Sequence, residues 1–507
     1  MSVQPSAFSH QQKRSWIWLI ADSCALIALA GCATYPLAAR EGHAAYGAYL
    51  RGLMLERSSK LTDALSAYSM ALERDRGSAL LHVRVGATYL KLGQADQALQ
   101  AFKQALEIEP NQPDALRWVA MLHAAQGQLE AAVSAYERLL TLDADDQFVM
   151  STLADLYVLQ GRLPQAVDLY HRLISEAGPA SQLCFNLGVL HGRLNQYHDA
   201  LQELSRAFEL SPESLDIRIA LGLTYELDEQ YDKAAAHYED AIHLDPLNPR
   251  LYQHAARAYL NGKRFELAAA EYQAILDLAP RDLEAIMGLV RVRLSEHRFE
   301  EAAQFLGRKI EEQGPLPELY VALGIVYREA KQTTEAMRAF ERAIAKKSDY
   351  AQAYFYLAAQ LDQLGRKPDA RANLARTLQL DPNHSDAMNY LGYMDAEAGE
   401  RLEEAKSLVQ RALELEPENG AYLDSLGWIY FKMGKVPEAI TQLERAASVL
   451  ETDPIIFDHL GEAYFKQRDF EKAQRNWEHA LQLEPSEAIQ QKLRQLLAHD
   501  ATLTTSR

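Results

Sequence analysis

Residues 79–112 read ALLHVRVGATYLKLGQADQALQAFKQALEIEPNQ. Apolar residues recur at helical spacing in each half of this stretch, and Gly93 separates the two halves. Pro110 closes the second half. Each half is amphipathic and cannot bury its apolar face alone. The stretch therefore predicts two antiparallel helices joined by a short turn.

The same unit recurs every 34 residues and defines repeats one to thirteen. Its first small position is occupied by Gly52, Gly86, Ala120, Ala154, Gly188, Gly222, Ala256, Val290, Gly324, Ala358, Gly392, Gly427 and Gly461. Twelve positions later stand Ala64, Ala98, Ala132, Ala166, Ala200, Ala234, Ala268, Ala302, Ala336, Ala370, Ala439 and Ala473, and an inserted residue shifts Ala405 by one. Small residues at both places predict a close approach of the two helices, which a larger side chain would prevent.

This period and pattern resemble the tetratricopeptide repeat over residues 45–487. The motif of that family also has a large residue four positions after the second small one, here Tyr68, Phe102, Tyr136, Tyr170, Tyr238, Tyr272, Phe340 and Trp477. The resemblance implies an all-α, right-handed α-solenoid of about 13 helix pairs. Residues 488–507 are predicted to add a C-terminal capping helix and a tail, with Ser486 as the N-cap and 501–507 as the tail.

Two joints between repeats depart from the pattern. Residues 178–179 follow a repeat without its closing proline, and residues 314–317 follow the repeat in which Val290 replaces a small residue. Either the solenoid flexes at these joints, or the irregular repeats pack normally with compensating side chains.

Residues 1–31 are predicted to be a signal peptide, because Lys13 and Arg14 precede a short apolar run that ends in small residues. The sequence Leu29-Ala30-Gly31-Cys32 resembles the lipobox of bacterial lipoproteins, which implies cleavage before Cys32 and acylation of that residue. Residues 32–44 would form the lipidated tether, and Ala33 favours the outer membrane. An ordinary secretion signal with an incidental cysteine is the alternative.

The composition and the motifs argue against several classes of function. A formal net charge of −18 disfavours binding to nucleic acid, because phosphates would be repelled. The sequence contains no G-x-S-x-G, H-E-x-x-H, C-x-x-C or phosphate-binding glycine motif. Cys184 falls on the core side of a helix and is predicted to be a structural thiol. We therefore expect a protein that is not an enzyme and that uses no cofactor or metal.

The resemblance also implies that the first helix of each repeat lines a concave face that binds partners. Positions three before and one after the first small residue would point into this groove; in repeats eleven to thirteen they are Asn389, Tyr393, Asp424, Trp428, Asp458 and Glu462. An exposed Trp428 would be an aromatic anchor for a protein partner. In repeats seven and eight, Arg257 and Arg291 on the same face predict a carboxylate site. For both regions the alternative is a hydrated groove without a ligand.

Two classes of function fit these observations. The first is a protein-binding scaffold or adaptor, lipid-anchored at the periplasmic face of the outer membrane. It would resemble the tetratricopeptide lipoproteins that serve carboxyl-terminal processing proteases and peptidoglycan hydrolases. The second is an assembly factor for an envelope machine that exports polysaccharide or builds a pilus or a secretin. The sequence does not name the partner.

Overall fold

The computed structural model describes residues 41–505, and every regular element in that range is an α-helix. The chain divides into two compact units, with the boundary between Asp245 and Pro246. The predicted signal peptide, Cys32 and nearly all of the predicted tether lie outside the described residues.

The first unit contains twelve described helices. They are α1 (Glu41–Arg57), α2 (Leu61–Arg74), α3 (Ala79–Lys91), α4 (Ala95–Ile108), α5 (Pro113–Ala125), α6 (Leu129–Leu142), α7 (Gln147–Leu159), α8 (Leu163–Ala177), α9 (Ser181–Arg193), α10 (Tyr197–Leu210), α11 (Leu215–Leu227) and α12 (Tyr231–Leu244).

The second unit contains the remaining fifteen described helices. They are α13 (Pro249–Asn261), α14 (Phe265–Leu278), α15 (Leu283–Ser295), α16 (Phe299–Gln313), α17 (Pro317–Glu329), α18 (Thr333–Lys346), α19 (Ala351–Gln363), α20 (Lys367–Leu380), α21 (Ser385–Ala398), α22 (Leu402–Leu415), α23 (Gly420–Lys432), α24 (Val436–Val449), α25 (Pro454–Gln467), α26 (Phe470–Leu483) and α27 (Glu487–Thr505). Within both units, odd and even helices pack in consecutive pairs, one pair per repeat. The predicted all-α fold of repeated helix pairs is therefore confirmed.

The two small positions of each repeat lie in the core. All thirteen alanines at the second position have no exposed surface, so the predicted register holds throughout. Where the first position is glycine, a large side chain of the second helix fills the space that a side chain would occupy, and in five repeats it is an aromatic ring. A Cβ atom added at Gly222 would lie 2.5 Å from Tyr238 Cε1, and one added at Gly86 would lie 2.6 Å from Phe102 Cε1. The small residue is thus required by the large residue sixteen positions later.

The turn within each helix pair always contains one residue with a left-handed backbone, seven positions after the first small residue. Glycine occupies six of these thirteen positions, and Asn195 occupies a seventh. The other six are Ser59, Glu229, Lys263, His297, Lys331 and Arg468. In repeat eleven the inserted residue extends this turn, where Arg401 also has a positive φ of 47°. The insertion is therefore absorbed in the turn, without disturbing either helix.

The two irregular joints are closely packed. The helices on either side of residues 178–179, α8 and α9, contact each other, as do α16 and α17 on either side of 314–317. Val290 is buried at the first small position of repeat eight. Two residues earlier on the same helix, Gly288 packs closely against the ring of Tyr272, which belongs to the second helix of the preceding repeat. The compensating packing that one alternative predicted is thus present in repeat eight.

The C-terminal helix α27 begins as predicted, since the Ile489 backbone N–H donates to Ser486 Oγ at 3.4 Å. Its apolar residues Ile489 and Leu496 are buried in the core that α26 and the preceding repeats form. The helix continues through Thr505, into the stretch that the sequence predicted as a tail.

Two further sequence interpretations can be placed in the structure. Cys184 is fully buried on α9, and burial raises the pKa of its thiol, as fits a structural cysteine. Among the helices of residues 41–505, none combines the length and the apolarity needed to cross a bilayer.

Candidate functional site

First helices of several neighbouring repeats contact each other directly in the second unit. Among the described helices, α21 contacts α23 and α23 contacts α25, and each of these pairs joins the first helix of one repeat to the first helix of the next. The described second helices of neighbouring repeats show no comparable contact. In a curved stack the more closely spaced layer lies on the inside. These contacts support the prediction that the first helices line the inner face of repeats eleven to thirteen.

A pocket of about 390 Å³ opens on this inner face across repeats ten to thirteen. We call it the inner-face pocket, and it is lined by Phe355, Asp386, Asn389, Tyr390, Tyr393, Ala421, Asp424, Ser425, Asp453, Ile455 and Ile456. Three of the predicted partner-binding residues, Asn389, Tyr393 and Asp424, thus lie together in one concave site. Its volume is within the range of about 300–1,000 Å³ that ligand pockets occupy.

Three aromatic side chains, Phe355, Tyr390 and Tyr393, line the pocket. The rings of Phe355 and Tyr390 meet edge to face, with their centroids 6.4 Å apart. The Tyr390 hydroxyl donates to Asp362 Oδ2 at 2.8 Å, which fixes the ring in place. Burial and the neighbouring carboxylates raise the pKa of Tyr393 to about 12, so its hydroxyl stays protonated at neutral pH. These rings offer apolar faces beside a strongly acidic surface.

Polar groups also line the pocket. His459 Nδ1 donates to Asp424 Oδ1 at 2.8 Å, and both side chains are buried. The Tyr422 hydroxyl donates to Asp386 Oδ1 at 2.7 Å. Asn389 Oδ1 is buried and accepts no hydrogen bond from any described residue. An unpaired buried acceptor costs about 1–3 kcal/mol, so a hydrogen bond from a ligand to this amide oxygen would be favourable.

Trp428 does not lie exposed in the groove, so the prediction of an exposed aromatic anchor is wrong. Only 8% of its surface is accessible. Its ring stacks on His459 with centroids 4.0 Å apart and on Phe431 with centroids 4.9 Å apart. Its indole N–H donates to Glu397, and Lys432 Nζ lies 4.7 Å from the ring centroid. His459 of the next repeat covers the indole and also contacts Asp424 of the pocket. Trp428 is therefore a packing residue next to the pocket.

Asp458 and Glu462 already have an intramolecular partner. Lys492 Nζ on α27 lies 2.8 Å from Asp458 Oδ1 and 2.6 Å from Glu462 Oε1. The indole N–H of Trp477 also donates to Asp458, at 2.9 Å. Burial opposes the charge on Lys492, but its hydrogen bonds to the two carboxylates outweigh burial and raise its pKa. The C-terminal helix therefore occupies the predicted binding positions of repeat thirteen.

The basic residues of repeats seven and eight lie on first helices, as predicted. Arg257 on α13 is half-buried, and its Nη2 lies 3.1 Å from His254 Nδ1. Arg291 on α15 is exposed. A carboxylate site formed by Arg257 and Arg291 stays a prediction.

Several residues of the inner-face pocket were not predicted from the sequence. Phe355 holds in repeat ten the same position, three before the first small residue, that Asn389 and Asp424 hold in later repeats. Asp386 and Ala421 lie three residues earlier still, one helical turn along the same face. Extending the inward-facing positions by one turn and one repeat would have found them.

Comparison with known sequences assigns the repeats. A model of the tetratricopeptide repeat matches residues 86–147, 185–249, 255–315, 321–384 and 394–453, and two further models of the same repeat match 123–182 and 454–487. The chain belongs to the tetratricopeptide repeat family. Proteins with this repeat generally act as scaffolds that bind other proteins or peptides.

Individual proteins with this repeat are similar to this chain over different shares of their length. The TPR repeat-containing protein PA4667 of Pseudomonas aeruginosa is 27% identical over 165 residues, which are 32% of this chain and 27% of that protein. The match thus spans about a quarter of the curated relative. The APC/C hetero-tetramer Cut9-Hcn1 is 16% identical, with 84% of this chain and 91% of that chain covered and a TM-score of 0.42. Yeast Tom70 is 16% identical, with 92% and 97% covered and a TM-score of 0.39.

Proposed function

We propose that this chain is a non-enzymatic scaffold that binds a protein partner at the inner-face pocket of repeats ten to thirteen. The observation that carries the proposal is the pocket itself, in which apolar rings, carboxylates and an unpaired amide oxygen converge on one concave site. The partner would be a periplasmic protease or cell-wall enzyme, or a substrate of such an enzyme. This combination of features suits an extended protein segment, whose backbone N–H groups and side chains need different contacts.

The rim of the pocket supports this proposal. Ile455 is 56% exposed although it is a large apolar residue at the opening of the pocket. The buried Asn389 oxygen, which accepts no hydrogen bond from a described residue, lies on α21 in the same pocket lining. Neither feature stabilises the free chain, whereas a bound segment would cover the first and donate a hydrogen bond to the second.

A double variant, Asn389→Ala with Ile455→Ser, tests the pocket. We expect it to weaken partner binding by about 2 kcal/mol or more, roughly thirtyfold, with little change in melting temperature, since neither side chain is needed for packing. Co-purification from detergent-solubilised membranes would identify the partner, and titration would then measure its affinity for each variant. Identification of the partner would also distinguish the two functions considered for this chain, an adaptor for an enzyme and an assembly factor for an envelope machine.

The matched control is Asn373→Ala with Leu415→Ser, which makes the same two changes on the second helices α20 and α22. Leu415 is 49% exposed, comparable to Ile455. We expect this control to bind as the wild type does. Equal binding by both double variants would show that the partner does not use the inner-face pocket.

We also propose that the chain is anchored by lipid on Cys32 at the periplasmic face of the outer membrane. The support is the sequence Leu29-Ala30-Gly31-Cys32 after a basic start and an apolar run. Several acyl chains on one residue would give stable attachment, because a single chain binds only marginally. Anchoring there would present the repeats to periplasmic partners.

The Cys32→Ser variant tests the anchor. Without the thiol no thioether to diacylglycerol can form, so we expect the variant in the soluble periplasmic fraction or as an uncleaved precursor. Labelled palmitate should enter the wild type and not the variant. Equal labelling of both proteins would rule out Cys32 as the lipid site.

A further inference from the structure

The inner-face pocket has a chemistry that selects one kind of side chain. Three of its lining residues, Asp386, Asp424 and Asp453, are acidic. Among the described side chains, no lysine or arginine forms an ion pair with any of the three, and only His459 lies within ion-pairing distance of Asp424. The carboxylates therefore attract a positive charge that the described part of the chain does not itself supply.

The aromatic side of the pocket suits the same charge. Phe355, Tyr390 and Tyr393 line the same pocket as the carboxylates. A lysine ammonium or an arginine guanidinium is attracted to the face of an aromatic ring within about 6 Å of its centroid. A cation held between such rings and carboxylates is stabilised by both, whereas an anion would be repelled.

The neighbouring repeat provides a direct precedent. In repeat thirteen the position three before the first small residue is Asp458, and Lys492 of α27 binds it together with Glu462. In repeat twelve the same position is Asp424, which faces the inner-face pocket. The inner face thus already holds one lysine from within the chain, next to a similar acidic site that lacks one.

We propose that the inner-face pocket binds a lysine or arginine side chain of the protein partner, between its carboxylates and its aromatic rings. The proposal rests on the proposed function and specifies the partner by its chemistry. The unpaired Asn389 oxygen would accept a hydrogen bond from the cation or from the adjacent backbone N–H of the bound segment. The partner would therefore carry a basic residue with an apolar neighbour that covers Ile455.

The test uses the whole protein and a library of random twelve-residue peptides displayed on phage. Selection against the wild type should enrich peptides with lysine or arginine at one aligned position. For a selected peptide, replacement of that residue by uncharged norleucine should weaken binding about tenfold or more. The Asp386→Asn/Asp453→Asn variant should weaken binding of the original peptide to a similar degree.

These two substitutions are chosen to leave the fold intact. Asparagine at 386 still accepts from the Tyr422 hydroxyl, and asparagine at 453 still caps α25 through the bond that Ile455 N–H makes to the side chain. Combining the variant with the norleucine peptide should cause no further loss, because both changes remove one shared interaction. The control Glu414→Gln/Glu438→Gln removes the same charge from exposed second-helix positions and should leave affinity unchanged.

The outcomes separate this inference from the proposed function. If selected peptides need the pocket but show no basic preference, or if norleucine binds equally well, the cation site is wrong and the scaffold proposal stands. If the control variant loses as much affinity as Asp386→Asn/Asp453→Asn, the overall negative charge of the protein explains the loss of affinity. The proposed cation site would then be wrong. If no peptide binds at the pocket, both proposals fail.

Discussion

Replacing Trp428 with alanine is expected to lower the free energy of unfolding of the second unit by about 3–5 kcal/mol, the usual loss for a buried aromatic. The indole is buried, stacks on His459 and Phe431, and donates a hydrogen bond to Glu397. Its removal leaves a cavity beside His459, the hydrogen-bond partner of Asp424. Urea unfolding followed by circular dichroism would measure the loss through the shift of the transition midpoint.

Two comparisons make this expectation sharp. Trp428→Phe keeps an aromatic ring against His459 and should retain most of the stability, losing mainly the bond to Glu397. Phe465→Ala removes an aromatic ring that is 38% exposed on α25 and should cost less than Trp428→Ala. If Trp428→Ala left the unfolding midpoint unchanged, the indole would have to be exposed after all, as an anchor in the groove.

Replacing Gly222 with alanine is expected to destabilise the first unit by about 2–3 kcal/mol, although alanine is the better helix former. The added methyl group would meet the fully buried ring of Tyr238 at 2.5 Å, and that ring has no free space to enter. The damage should be concentrated in repeat six and its neighbours, because coupling along such arrays is between nearest repeats. Amide hydrogen exchange would locate it.

Gly192 provides the matched control in the preceding repeat. It lies in the last turn of the first helix α9, and an added Cβ atom would have no neighbour within 4 Å. Gly192→Ala should therefore stabilise the protein by about 0.5–1 kcal/mol through helix propensity alone. Effects of the same sign for the two glycines would contradict the close approach between Gly222 and Tyr238.

The helix pairs could be predicted because the repeated pattern reports contacts within one repeat. The small residue, the alanine twelve positions later and the large residue four beyond it all pack inside a single pair, as Gly222, Ala234 and Tyr238 do. The left-handed turn residue can be predicted from the sequence only where glycine or asparagine occupies the position, as at Gly93 and Asn195. Lys263 and Lys331 adopt the same left-handed backbone, at a local cost of about 1–2 kcal/mol that packing of the flanking helices offsets.

The state of each inward-facing side chain could not be predicted in this way. Whether Trp428 is exposed depends on His459, and whether Asp458 is free depends on Lys492, which lies 34 residues further along the chain. The position of a residue within its repeat predicts the direction in which its side chain points. It does not show what the next repeat or the C-terminal helix places over it.

The central claim is that a protein partner occupies the inner-face pocket, and photo-crosslinking in the native membrane tests it most directly. The cross-linking amino acid p-benzoylphenylalanine would replace Ile455 in one variant, Arg291 in a second and Leu415 in a third. We predict that the variant substituted at Ile455 crosslinks to a partner protein and that the other two do not. Crosslinking from Arg291 or Leu415 with none from Ile455 would contradict the claim and place the partner elsewhere on the repeats.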